Sequence, residues 1–153
     1  MVDYILQKYK LTETLECVQA VYMDKTGLHI SNEIEMRKLE PKHKKVILGH
    51  YDKIPDEEIE ELLNDGSLFG GYKNDNLIGF IGNHLEGSIG LLEVFSEYRR
   101  LGYGTILEKY MINRMLENGL VPFAQIVVNN EKSIALQKKL GFSISEGSMF
   151  WMW

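Results

Sequence analysis

Arg99-Arg100-Leu101-Gly102-Tyr103-Gly104-Thr105 is the stretch on which the reading of this chain turns. Ahead of it, Ser88 to Phe95 has the composition of a strand. Behind it, Ile106, Leu107, Tyr110, Met111 and Met115 recur at helical spacing until Asn118-Gly119. The seven residues therefore join a strand to a helix, where unpaired backbone N–H groups gather and the helix dipole is positive. Gly102 and Gly104 let an anion's oxygens approach the main chain, Arg99 or Arg100 adds charge, and Thr105 offers a hydroxyl. Tight turns also need glycine, so the pair by itself leaves a plain turn as open as an anion site. No Gly-Lys-Ser/Thr follows, which excludes a Walker A loop, and the third glycine of a dinucleotide fingerprint is missing.

Working outward, Pro122 to Val128 reads as a central strand. Asn130 is a good N-cap for a helix that runs to Leu140 and ends at Gly141, and Phe142 to Trp153 supplies a closing strand. Upstream, Phe69 to Tyr72 and Leu77 to Asn83 form a hairpin about Lys73-Asn74-Asp75-Asn76. A helix begins at Pro55 with Asp56, Glu57 and Glu58 in its first turn, buries Ile59, Leu62 and Leu63, and ends at Gly66. Ile34 to Leu39 reads as a strand, with Pro41 starting a helix toward His50. Cys17 to Asn32 alternates about Asp24-Lys25-Thr26-Gly27 and predicts a hairpin, and Asp3 to Glu16 predicts short helices. The sum is an α/β mixture with hairpins early and a strand-helix-strand-helix-strand half late.

At 153 residues, 44% apolar and 25% charged, the chain has the size and balance of one globular domain, 1–153, with 1–33 as an extension to a core of 34–153. No run is long enough to span a bilayer and no basic-then-apolar leader opens the chain, which predicts a cytoplasmic location and no membrane partner. Net charge is −5, and the basic stretch Arg37 to Lys45 is interrupted by acidic residues, which argues against nucleic acid. Cys17 is the single cysteine and reads as a packed thiol. His29, His43 and His50 lack ligand spacing, so no metal is expected. Trp151 and Trp153 alternate as a strand would and read as core or edge packing.

Glu97-Tyr98-Arg99-Arg100-Leu101-Gly102-Tyr103-Gly104 resembles the Arg/Gln-x-x-Gly-x-Gly/Ala signature of the GNAT superfamily of acyl-CoA N-acyltransferases. Asn130-Glu131-Lys132-Ser133 and Leu136-Gln137-Lys138-Lys139-Leu140-Gly141-Phe142 are similar to that superfamily's later helix and its Leu-Gly-Phe ending. The resemblance covers Leu77 to Phe142; Ile34 to Tyr72 is compatible with it, and earlier residues are not covered. Leu91 to Arg99 most resembles the glycine N-acyltransferase-like branch. The resemblance implies a mixed central sheet with helices on both faces and a cofactor cleft where two parallel strands splay. The backbone at Leu92 and Val94 would pair with the pantetheine arm of acetyl-CoA or another acyl-CoA. Arg99, Arg100, Leu101, Gly102, Tyr103, Gly104 and Thr105 would hold the pyrophosphate, and Asn130 and Ser133 would lie beside the pantetheine arm and thiol. Asn130 as a simple N-cap and Ser133 as an ordinary helix residue remain equally open.

Acyl transfer to an amine needs a neutral amine, a stabilised oxyanion and a proton for the departing thiolate. A backbone N–H near Val94 would serve the oxyanion. The family's usual glutamate position holds Ser88 here, and its usual tyrosine position on the later helix holds Gln137. His84, Glu86 and Ser88 alternate, so a continuous strand would put Glu86 within reach of the amine; Glu93 is the second candidate base, on the opposite parity. Each carboxylate also reads as a solvated surface group. With no tyrosine at 137, the leaving thiolate takes its proton from water or another tyrosine, leaves unassisted, or the chain is a poor catalyst. The expected function is N-acyl transfer, acetyl by preference, to a small amine or amino acid. A CoA-binding module without turnover and a protein-interaction domain that keeps the fold are the alternatives, and a homodimer is left open.

Overall fold

The computed structural model describes residues 1–153. In chain order the elements are α1 (Val2–Tyr9), β1 (Thr14–Val21), β2 (Glu35–Lys38), a 3-10 turn (Pro41–His43) leading into α2 (Lys44–Leu48), α3 (Asp56–Asp65), β3 (Leu68–Lys73), β4 (Asn76–Asn83), β5 (Ile89–Val94), a 3-10 turn (Ser96–Tyr98), α4 (Tyr103–Glu117), β6 (Phe123–Val127), α5 (Glu131–Leu140) and β7 (Ser143–Met152). This is the expected mixture of helices and strands. The strands form two sheets, β6-β1-β7 and β2-β3-β4-β5, in which every pairing is antiparallel. No parallel pair is among them, and β5, the strand at which the resemblance places the pantetheine arm, lies at the end of the four-stranded sheet.

The chain divides into two compact units, Lys25–Pro122 and Met1–Asp24 with Phe123–Trp153. In the larger unit, Phe80 on β4 faces a cluster that includes Leu39, Ile47, Ile59, Leu62 and Leu63, which seats α2 and α3 on one face of the four-stranded sheet. Residues of opposite parity face α4: Phe69 lies 5.3 Å from Tyr110 between ring centroids, and Leu107, Met111 and Ile112 are fully buried. α3 follows its expected plan, with three acidic residues in the first turn, Ile59, Leu62 and Leu63 buried, and Gly66 at φ 78° as the left-handed cap. Asn74 and Asp75, at φ 49° and 62°, make the tight β3–β4 turn, as such a hairpin requires.

The smaller unit corrects two expectations. Thr14 to Glu16 are strand rather than helix, and Cys17 to Asn32 do not form a hairpin. β1 is the middle strand of its sheet, paired with β6 on one side and β7 on the other, so its alternation reports partners more than a hundred residues away rather than its neighbour. β6, expected to be central, is an outer strand of that sheet. In the larger unit, the would-be second arm has its backbone satisfied by a side chain: Leu28 N–H donates to Asn113 Oδ1 at 2.7 Å, and Asn113 Nδ2 donates back to Leu28 O at 2.7 Å. Cys17 is buried, and that burial, with Glu16 beside it, pushes its thiol pKa up, as expected of a packed cysteine. Trp151 and Trp153 are surface residues, with Trp151 Nε1 donating to Gln125 Oε1 at 2.7 Å.

Candidate active site

β5 is the last strand of its sheet, so only its β4-facing edge takes part in a ladder. Phe80 pairs with Glu93 and Gly82 with Gly90, which leaves Ile81 alone opposite both Leu91 and Leu92. That extra residue is a β-bulge, and it releases backbone groups from the ladder in the middle of the strand. Leu91 adopts a left-handed φ of 51° there, a conformation that costs a non-glycine residue about 1 kcal/mol, and its side chain is fully packed. Strain held in place by packing is a common mark of a working site.

Past β5 the chain turns through Ser96–Tyr98 and enters α4 by way of Arg100 at φ 62° and Gly102 at φ 81°. Gly102 is the N-cap and has no side chain to cap the helix. Ile106 N–H reaches back to Gly102 O at 3.4 Å, so the N–H groups of Tyr103, Gly104 and Thr105 precede the intrahelical ladder. The space in front of them is open. A Cβ added to Gly102 would meet no atom within 4 Å, and one added to Gly104 would meet only Val94 Cγ2 at 3.8 Å. Gly102 is required by its φ; Gly104 is required by nothing in the protein around it, and the room it leaves suits an external anion.

Arg99 and Arg100 differ. Arg99 Nε donates to Val94 O at 2.9 Å and its terminal nitrogen to Glu93 Oε1 at 2.7 Å, so this guanidinium ties the end of β5 to the corner. Arg100 and Leu101 are exposed, which makes Arg100 the charge available to the corner. The Tyr103 side chain is buried, its hydroxyl accepting from Lys73 Nζ, and Thr105 is half-buried in the first turn. In the other unit, Asn130 Oδ1 accepts from Ser133 N–H at 3.1 Å and caps α5, while Gln137 is buried.

The candidate bases are engaged elsewhere. β4 ends at Asn83 and β5 begins at Ile89, so His84 to Ser88 form a turn and share no strand face, contrary to the alternation expected of them. His84 N–H donates to Ser88 O at 2.9 Å and Gly87 N–H to His84 O at 2.9 Å, with Gly87 at φ 97°. Glu86 is exposed on that turn and accepts the buried Ser88 hydroxyl; Glu93 carries the ion pair to Arg99. A group that sequence reasoning did not assemble lies on the face that Phe80, Glu93 and Gly90 share. The His84 ring occupies the place where a Gly90 side chain would be, and its Nδ1 is 4.0 Å from Glu58 Oε1 in the first turn of α3. Tyr51 packs edge-on against Phe80 at 6.5 Å between centroids; burial first, then the carboxylates of Glu58, Asp52 and Glu93, pushes its phenol up to about 12. Glu58 and His84 are 26 residues apart, with neither periodicity nor motif to link them. No group of three or more His, Cys, Asp or Glu side chains is placed to hold a metal ion.

A sequence model of the acetyltransferase (GNAT) family matches residues 34–142. No curated protein matches the chain. Among solved structures, a Drosophila protein superposes with a TM-score of 0.80 at 20% identity, over 99% of this chain and 55% of its own. A putative acetyltransferase of the GNAT family from Novosphingobium aromaticivorans gives 0.77 at 16% identity, over 93% of this chain and 65% of its own. Arabidopsis thaliana Naa50, in complex with the bisubstrate analogue CoA-Ac-MVNAL, gives 0.61 at 22%, over 74% and 85%. The chain thus spans less than two thirds of the length of the first two. The branch suggested by Leu91 to Arg99 finds no support in these matches, and no helix of the chain is long and apolar enough to cross a membrane.

Proposed function

Because the chain belongs to the acetyltransferase (GNAT) family, we propose that it carries acyl groups, acetyl foremost, from an acyl-CoA to the amine of a small molecule or amino acid. One observation carries this: a helix start with unpaired N–H groups and empty space before Gly102 and Gly104, adjoining a strand whose middle is bulged. A nucleotide diphosphate fits such a corner, since its oxygens accept from Tyr103, Gly104 and Thr105 N–H while Arg100 adds positive charge. When bound, acyl-CoA supplies an activated carbonyl. The chain's own contributions are the outer edge of β5, which takes an extended pantetheine arm as a further strand would be taken, and the backbone N–H groups at the Leu91–Leu92 bulge, which serve an oxygen that gains negative charge. Arabidopsis thaliana Naa50, which has this fold, is in complex with the bisubstrate analogue CoA-Ac-MVNAL, and this supports a CoA-linked acyl donor as the ligand.

Capture of CoA without turnover is the second reading, favoured by a buried glutamine at 137 and by the engagement of both expected carboxylates. Titration calorimetry with CoA and a thiol-release assay with acetyl-CoA and a panel of primary amines and amino acids separate the two. Saturating CoA at a hundred times its Kd stabilises the fold by ~2.7 kcal/mol, a melting shift of about 5–10 °C. Thiol release above the amine-free rate supports transfer; binding without release leaves the binding module, and absence of binding removes both.

A further inference from the structure

We propose that His84 is the proton acceptor for the incoming amine, positioned by Glu58, an assignment that rests on the acyl-transfer reading above. Three features place it. First, the turn that bears His84 is held by two main-chain bonds, with Asn83 Nδ2 adding a third to Gly87 O at 3.0 Å, which fixes the backbone from which the imidazole projects. Second, Gly90 has no side chain, and the Nε2 edge of the ring lies in that gap, one residue before the bulge at Leu91–Leu92. Third, Glu58 Oε1 faces Nδ1 at 4.0 Å, both side chains being about one-quarter exposed. That spacing is longer than a hydrogen bond, as such pairs often are before substrate closes the site. A carboxylate on the Nδ1 side orients the ring so that Nε2 is the accepting nitrogen.

The surroundings are accounted for. α3 contributes Glu58, β5 contributes Glu93, already paired with Arg99, and the segment after α2 contributes Tyr51 and Asp52, with Lys53 Nζ 5.9 Å from the Tyr51 ring. In His84's own turn, Glu86 is engaged with Ser88. Two of the remaining histidines are occupied: His43 Nδ1 accepts from Glu40 N–H at 2.9 Å, and His50 stacks on Phe95 at 3.9 Å. The proton balance is simple. The amine nitrogen forms the C–N bond and gives its proton to His84 Nε2, the C–S bond breaks, and the thiolate takes that proton from the imidazolium, directly or relayed through a bridging water, which returns the histidine to its neutral state.

Steady-state thiol release from acetyl-CoA across pH, with CoA calorimetry on each protein, tests the assignment. His84→Gln lowers kcat by about 10²–10⁴-fold and removes the acid limb of the pH–rate profile while CoA affinity stays unchanged. Glu58→Gln lowers kcat less, about tenfold, with the KM for the amine and the CoA affinity unchanged, because the imidazole loses the carboxylate that orients it. The double variant is no slower than His84→Gln alone, since Glu58 acts through the histidine. An acid limb and kcat that survive His84→Gln overturn the proposal and leave acyl transfer standing. A wild-type protein that binds CoA but releases no thiol with any amine removes the acyl-transfer reading itself, and this assignment with it.

Discussion

Two helices of this protein begin in opposite ways. α5 starts at Asn130, whose carboxamide turns inward and accepts the Ser133 N–H, so the helix satisfies part of its own end. α4 starts at Gly102, with no capping side chain, a left-handed φ, and open space where a side chain would be. With glycine as its N-cap this 15-residue helix gives up roughly a few tenths of a kcal/mol relative to a capping side chain, and it leaves N–H groups that, in the proposed reading, serve the diphosphate. An uncapped helix start is thus a better guide to a ligand than a capped one, provided that the space before it is empty.

Gly104→Glu breaks the contrast most severely. The backbone at 104 is ordinary helix and its surroundings are open, so the carboxylate fits and, in the first turn, stabilises the helix. Against a phosphate about 4 Å away it is worth ~4 kcal/mol of repulsion at an effective dielectric near 20, roughly a thousandfold in CoA affinity. Calorimetry should show that loss alongside an unchanged or raised melting temperature; retained affinity removes the diphosphate from this corner. Gly102→Glu is the poorer test, because a left-handed φ of 81° makes any side chain there costly to the fold itself.

Asn130→Ala sharpens the contrast from the other side. Loss of the cap should lower stability by ~1 kcal/mol, with CoA affinity within about threefold of the parent. A tenfold fall in affinity would show instead that the carboxamide touches the pantetheine arm. The smallest effect is expected of Gly104→Ala: helix propensity raises stability by ~0.5–1 kcal/mol, and CoA still binds, because the signature at this position admits alanine. Should alanine abolish binding as glutamate does, bulk rather than charge governs the corner.

Local patterns were legible wherever the partner of a residue is near in the chain. α3, with Pro55 before it and Gly66 after it, the Asn74-Asp75 hairpin, and α5 between Asn130 and Gly141 stand where their spacing predicted. The alternation at Cys17 to Asn32 misled because period two reports that a strand exists and says nothing of what it pairs with; β1 pairs with β6 and β7. The same gap hid half of the site. Glycines 102 and 104 mark the strand-to-helix corner from residues adjacent in the chain, whereas Glu58 and His84 meet only because α3 packs against the sheet face on which Gly90 has no side chain.

The amino-acid sequence by itself determined the family, the strand-to-helix corner and most helix boundaries, since each depends on residues a few positions apart. Only the tertiary structure decided that the strands divide into two antiparallel sheets, that Arg99 is spent on Glu93 and Val94 while Arg100 is exposed, and that an imidazole stands over Gly90. Those outcomes depend on which surfaces bury one another, a property of pairs of residues that are distant in the chain and carry no shared pattern.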